Sequence, residues 1–247
     1  MTNTVSIAKR FSGPTHFGNG GYCSGRFAQQ LALAPGEGAE IRLLKPVPLQ
    51  TPLQIEHLDG EVHIMQGETR VANAIRKQQQ LVVPAPPSAA EADEAGTRFI
   101  CRHYHPWPQC YVCGNQRAAG DGLCIFPGAT RDGQQVAAVW QPYPALCDSS
   151  GNISTEHIWA ALDCPAYYAG MINRNAKPAL LGTMWASVLQ PIPANQPLII
   201  QGWPLQSSER KLMCGTAIRS IGGECLALST SVWILLSDEQ QRRFAVS

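Results

Sequence analysis

Along this chain, runs of partly alternating apolar and polar residues cluster in two groups. The first group is LQIEHLDG, EVHIMQG and ETRVANAIRK; the second is QPLIIQGWPL, KLMCGTAIRSIGG and ECLALSTSVWILL. Alternation of this kind, punctuated by Gly-containing turns, predicts half-buried antiparallel strands. Ahead of each group stand a Gly-containing turn and a helix candidate. These are HFGNGG followed by YCSGRFAQQLALA, and CDSSGN followed by ISTEHIWAALDCPAYYAGM. The pattern predicts helices near residues 20–33 and 154–170.

The two groups also repeat in detail. Residues 44–55 read LKPVPLQTPLQI and residues 189–200 read LQPIPANQPLII, an offset of 189 − 44 = 145. Leu44, Pro46, Pro48, Pro52, Leu53 and Ile55 meet Leu189, Pro191, Pro193, Pro197, Leu198 and Ile200, six identities in twelve positions. Strand, helix and several strands are thus performed twice. A single long helix must bury its apolar stripe on the sheet beside it, so the expected class is α+β. Residues 78–98, QQQLVVPAPPSAAEADEAGTR, are rich in Pro, Ala and acidic residues and read as a linker. The expected division is 1–80 for the first half, 81–98 for the linker and 99–247 for the second half.

Composition narrows the options. Of 247 residues, 45% are hydrophobic and 15% charged, which suits a folded chain rather than a disordered one. Net charge is +1 and no basic stripe interleaves with aromatics, so no nucleic-acid partner is expected. No apolar run approaches the ~20 residues of a membrane span. The stretch MTNTVSIAKRFSG has no apolar segment of a signal peptide, and a cytoplasmic location is expected. Nine cysteines without framework spacing argue for reduced thiols, most of them small core residues. Cys110-x-x-Cys113 has Cys101, His103, His105 and Cys124 nearby, but a second Cys-x-x-Cys is missing. The expectation is therefore no cofactor and no stoichiometric zinc, with the two thiols packed in a turn under the sheet. No Walker loop, dinucleotide fingerprint or Gly-x-Ser-x-Gly elbow occurs.

The stretch GLCIFPGATRDGQQVAAVWQPYPALCDSSGNISTEHIWAALD resembles the start of a hotdog thioesterase. Members of that group show a strand hairpin, a His-Gly-Gly-like loop, then a helix whose second turn reads like Ala-Ala-Leu-Leu-Asp. CYVCGNQRAAGDGL resembles a Cys-x-x-Cys-Gly segment that precedes the first strand in some members. Two such halves in one chain look like the double-hotdog acyl-CoA thioesterases. The resemblance implies two antiparallel sheets, each wrapping a central helix, and hydrolysis of an acyl thioester such as acyl-CoA. A homodimer is one assembly it allows.

In that family the acid lies about eight positions after the first Gly of the motif, and each site takes glycine from one half and acid from the other. Asp163 matches the acid, while eight positions earlier stands Thr155. The first half keeps the glycines as Asn19-Gly20-Gly21, but eight positions after Gly20 stands Ala28, beside Gln29. The complementary losses leave one composite site, built from Gly20, Gly21 and Asp163. Asp163 is then the base or nucleophile. The backbone N–H groups of Gly20 and Gly21, at a helix start, are the oxyanion donors. Trp159, one turn before Asp163, can shield the carboxylate and raise its pKa. Pro165 is expected to kink that helix. The family also uses a hydroxyl residue in the strand after the helix and an amide in the last strand; Thr183 and Ser231 fall near those positions. Asn19 and Tyr22 are candidates for the acyl pocket, and His16 and His157 flank the site without a specifying spacing. Two other readings share the fold: a non-catalytic acyl-CoA or lipid-binding module, and a hydratase or dehydratase, which pairs an acid with a nearby His; Asp148 and His157 stand nine residues apart, and the shorter spacing is absent.

Overall fold

The computed structural model describes residues 3–172, 174 and 177–245. In the first half, strand β1 (Thr4–Val5) precedes helix α1 (Gly20–Ala28), followed by β2 (Gly38–Leu43), β3 (Leu53–Leu58), β4 (Glu61–Gln66) and β5 (Thr69–Arg76). Asn19 caps α1, its side-chain oxygen accepting from the Tyr22 N–H. A 3₁₀ turn over Gln29–Leu31 ends the helical run at Ala32, whose φ of 46° is left-handed. The β3–β4 hairpin turns on Asp59-Gly60 alone, with Gly60 at a left-handed φ of 78° that glycine adopts without steric cost.

The second half runs β6 (Gly128–Ala129), β7 (Val136–Trp140), α3 (Thr155–Gly170), β8 (Ala179–Val188), β9 (Leu198–Ser207), β10 (Lys211–Ser220) and β11 (Cys225–Leu235). Helix α3 is buried along nearly all of its length. It runs through Pro165 to Gly170, the extent the sequence pattern predicts. A short helix, α4 (Asp238–Ala245), follows.

The expected pair of separate sheets is not what forms. All strands join one 11-stranded sheet in the order β1-β3-β4-β5-β2-β8-β11-β10-β9-β7-β6. The joint is β2 against β8, antiparallel, from Gly38↔Ser187 to Arg42↔Thr183. Pairing these two edges satisfies backbone groups that separate halves would leave open. At the joint Glu40 lies opposite Trp185, which is 185 − 40 = 145 positions away. Outward from β2–β8 the neighbours are β5, β4, β3 on one side and β11, β10, β9 on the other.

Helices α1 and α3 pack directly on each other and on one face of the sheet. Their approach depends on glycine. A Cβ on Gly25 would stand 2.5 Å from Glu156 Cα, and one on Gly21 would stand 2.4 Å from Asp163 Cβ.

The segment read as a linker carries more structure than its composition suggested. Residues 77–86 cross the outer face of the sheet, where their carbonyls take side-chain donors. Trp185 Nε1 donates to Lys77 O at 2.7 Å, and Arg219 Nη2 to Pro84 O at 3.0 Å. Gln201, fully buried, donates to Pro84 O and Ala85 O and accepts from Arg219 Nε. Helix α2 (Ala89–Thr97) then begins at Ser88, whose hydroxyl caps the Glu91 N–H. Its Ala92 and Ala95 are buried against Ala137 and Ile199 on that same outer face. Alanine is both the best helix former and small enough for this contact. Gln201→Leu should lower unfolding free energy by about 1–3 kcal/mol, because Arg219 Nε loses its acceptor in a buried place and the Pro84 and Ala85 carbonyls each lose one of their donors. Denaturant unfolding measures this, and limited proteolysis near residues 77–86 should accelerate in parallel.

Candidate active site

The site grows from the α1–α3 contact. At the start of α1, the Gly21 N–H is one of the helix donors without an internal partner. It donates instead across the contact to Asp163 Oδ2, at 2.9 Å. The side-chain amide of Asn19 donates to the same oxygen at 3.1 Å. Asp163 is fully buried, and its Oδ1 has no hydrogen-bond partner among the described residues. Burial pushes the Asp163 carboxyl up to about 7; the Gly21 bond pulls it down, Cys110 pushes it up and the Asn19 bond pulls it down. A carboxyl near 7 exists in both forms at neutral pH, the condition for proton transfer in either direction.

A cavity of about 230 Å³ opens beside these groups. Asn19, Gly20 and Asp163 line it, together with apolar side chains such as Phe17, Val47, Leu181, Trp233 and Leu236. The residues of both halves therefore meet at one cavity, with the glycines supplied by α1 and the acid by α3.

The structure differs from the sequence-based assignments in several particulars. Gly21 spends its N–H on the carboxylate, so it holds the acid instead of facing a substrate. Thr183 does not line the cavity. It lies two positions from Trp185, whose indole donates to Lys77 O on the outer face, so by the alternation of a strand Thr183 belongs to that outer face of β8. Ser231 is buried, and its hydroxyl has no hydrogen-bond partner among the described residues. It lies two residues from Ser229, which bonds Thr216, and two from Trp233, which packs on Tyr167, yet it is not part of the cavity wall. Tyr22 stacks on Phe11 at 3.8 Å and packs beside Tyr111 and His157, on a different side of α1. Trp159 is buried, with its carbonyl against Gly21. It supports the carboxylate's surroundings without reaching the cavity. His157 accepts or donates at Tyr111 OH, 2.9 Å away, and burial lowers its pKa to about 4. Asp148 is taken up by its own turn, bonding Ser150 and Asn152. His16 sits in a turn at φ 67°.

Opposite the Gly21–Asp163 contact, the two helices meet through different chemistry. In the register that aligns Ala28 with Asp163, Gly21 corresponds to Glu156 (156 − 21 = 135 = 163 − 28). Glu156 is buried and takes Gln29 Nε2 at 2.7 Å and Arg26 Nη1 at 3.4 Å. That position is closed by an ion pair and carries no free carboxylate oxygen facing a glycine.

Sequence reasoning missed one feature. Cys164, immediately after Asp163, lies with Cys110 and Cys113 in a buried group whose sulfurs are all within 4.8 Å of one another. All three line the cavity. The signal was present in Cys110-x-x-Cys113 and in the Asp-Cys pair of α3, but nothing in the spacing tied the two segments together.

No protein-family model and no curated protein matches this chain. Solved structures do. The tesB protein of Mycobacterium avium subsp. paratuberculosis superposes with a TM-score of 0.64 at 12% identity, covering 95% of this chain and 92% of its own. An acyl-CoA thioesterase II, TesB2, from Mycobacterium marinum gives 0.54 at 14% identity, covering 94% and 92%. A conserved protein of unknown function with hot dog fold from Alicyclobacillus acidocaldarius gives 0.58 at 12% identity, covering 95% and 92%. Identities this low speak to architecture alone, and on architecture they agree: this chain is similar to a hot dog fold protein and to proteins named as thioesterases over nearly its full length.

Proposed function

We propose that this protein hydrolyses an acyl thioester, with acyl-CoA as the substrate class, at the cavity beside the contact of α1 and α3. The observation that carries the reading is the free oxygen of Asp163. Oδ2 is pinned by Gly21 and Asn19, while Oδ1 is buried and has no partner among the described residues, at an apolar cavity. A carboxylate held in one orientation by two donors has its remaining lone pairs aimed rather than wandering. It can activate water, or attack the thioester carbonyl itself. Gly20, at the start of α1 and on the cavity wall, offers the N–H that would receive the developing oxyanion, a role worth roughly 3–4 kcal/mol per donor. The apolar wall suits an acyl chain.

The same reading treats the two halves as copies of one hotdog unit with one surviving site. The 145-residue offset supports this, as does Glu40 opposite Trp185 at the sheet's joint. Because Gln29 serves the closed position with Glu156, Gln29→Ala is expected to keep turnover within about twofold while removing a partly buried hydrogen bond worth about 1 kcal/mol. Purified protein screened against acyl-CoAs of graded length, with released CoA separated and quantified, tests the proposal. Turnover of at least one chain length supports it, and inertness toward all of them, with binding retained, turns the reading to an acyl-CoA-binding module.

A further inference from the structure

The cavity wall carries a second group of residues that thioester hydrolysis by Asp163 does not use. Cys110 and Cys113 come from the loop before β6, and Cys164 from α3. All three are buried and free of disulfides, and Cys110 Sγ stands 3.7 Å from Cys164 Sγ. Four thiolates or fewer around a tetrahedral zinc, at Zn–S of about 2.3 Å, place their sulfurs about 3.8 Å apart. The observed edge matches that geometry before any metal is considered.

The surroundings of the sulfurs point the same way. Asn19 Nδ2 lies 3.8 Å from Cys110 Sγ and 3.9 Å from Cys164 Sγ. His105 Nδ1 accepts from the Trp107 N–H, which leaves the neutral ring's proton on Nε2, shared between Tyr168 OH at 3.0 Å and Cys113 Sγ at 3.3 Å. Tyr168 OH also donates to Cys113 Sγ at 3.5 Å. Neutral thiols are weak acceptors and do not call for so many donors; metal-bound thiolates do. The turn that presents Cys110 and Cys113 is fixed as well. Gly114 N–H closes it on Cys110 O at 2.9 Å, and a Cβ on Gly114 would stand 2.5 Å from Pro108 O.

We propose that Cys110, Cys113 and Cys164 form a three-thiolate site for zinc, with the fourth position open to the cavity. His105, held as a donor by its Nδ1 contact, orients Cys113 instead of binding the metal. Soft thiolate ligands select zinc over hard cations such as magnesium or calcium. Three protein ligands with an open position are the arrangement of zinc sites that keep an exchangeable ligand. This replaces the expectation of no stoichiometric zinc. That expectation looked for four ligands near residues 101–124, whereas the third comes from α3.

The test is elemental analysis of the full chain purified with reductant and without chelator, together with cobalt(II) substitution. About one zinc per chain, and cobalt(II) spectra with tetrahedral d–d and thiolate charge-transfer bands, are expected. Cys164→Ser should weaken zinc by more than about a hundredfold in a chelator competition, beyond the 10–100-fold that losing an outer hydrogen-bond partner costs. Cys225→Ser, outside the group, should bind as the parent does. If Cys164→Ser does not fold, the cobalt(II) spectrum of the parent decides alone. Reduced protein that takes up neither metal overturns the site, as does a Cys110–Cys164 disulfide in anaerobically prepared protein. Metal content is read independently of turnover. Zinc-free protein that hydrolyses acyl-CoA sinks this site and leaves the thioesterase reading standing, and zinc-loaded inert protein does the reverse.

Discussion

Asp163→Asn is expected to lower kcat for acyl-CoA hydrolysis on the order of a hundredfold or more, with little loss of stability. The substitution keeps the size of the side chain in a fully buried place. One amide oxygen can still accept from Gly21 and Asn19, as Oδ2 does now at 2.9 and 3.1 Å. What disappears is the basic, negatively charged Oδ1 at the cavity. Ground-state binding should change less than turnover, because the amide still fills the same volume. Steady-state kinetics that separate kcat from KM, alongside denaturant unfolding, provide the check. A kcat fall with KM nearly constant fits a group that acts in the reaction. A loss confined to KM would make Asp163 a binding residue.

Gly21→Ala should be nearly as damaging to turnover, and also destabilising. Its Cβ would lie 2.4 Å from Asp163 Cβ and 2.7 Å from Trp159 O, so the helices or the carboxylate must shift. Overpacking of this kind typically costs about 1–3 kcal/mol. A displacement of about 1 Å in a catalytic group can cost about a hundredfold in rate. Gly25→Ala separates the two effects. It crowds Glu156 Cα and Trp159 Cβ at the same helix contact, one turn from Gly21 and away from the Asp163 carboxyl. It should therefore lower the melting temperature by a similar amount while keeping most of the activity. If Gly25→Ala abolished turnover as completely as Gly21→Ala, the damage would be general and the local account of Gly21 would fail.

Much of this arrangement could be read from residue patterns. The helix starts at Asn19-Gly20-Gly21 and Ser154-Thr155 were visible as Gly- and Ser-rich entries before apolar runs. The resemblance to hotdog thioesterases, through its glycine-to-acid spacing, pointed to Asp163 and the first-half glycines as one site; Gly21 N lies 2.9 Å from Asp163 Oδ2. Other features left no trace in the side chains. The β2–β8 joint is made by backbone hydrogen bonds, and no side-chain signature distinguishes an edge that pairs from one that stays open. Helix α2 hid inside a Pro- and Ala-rich stretch, because the same alanines that weaken a core elsewhere fit tightly against Ala137 and Ile199. Thr183 was assigned from its distance along the chain, where a shift of one residue moves a strand side chain to the other face. Gly21 was read as a donor to substrate because its N–H had to go somewhere, and only the packing of α1 on α3 shows that it goes to Asp163. The third thiol was invisible for a related reason: Cys164 meets Cys110 only because α3 carries it past the loop.

The account turns on whether bond cleavage occurs at the Asp163 cavity. The direct measurement is a quenched reaction of the purified protein with an acyl-CoA in water enriched in oxygen-18, with both products followed by mass spectrometry. Free CoA and free acid are expected in equal amounts over many turnovers, with solvent oxygen in the acid, and their formation by Asp163→Asn is expected to be slower on the order of a hundredfold or more. Acyl-CoA recovered intact after binding, or equal product formation by Asp163→Asn, would contradict the account.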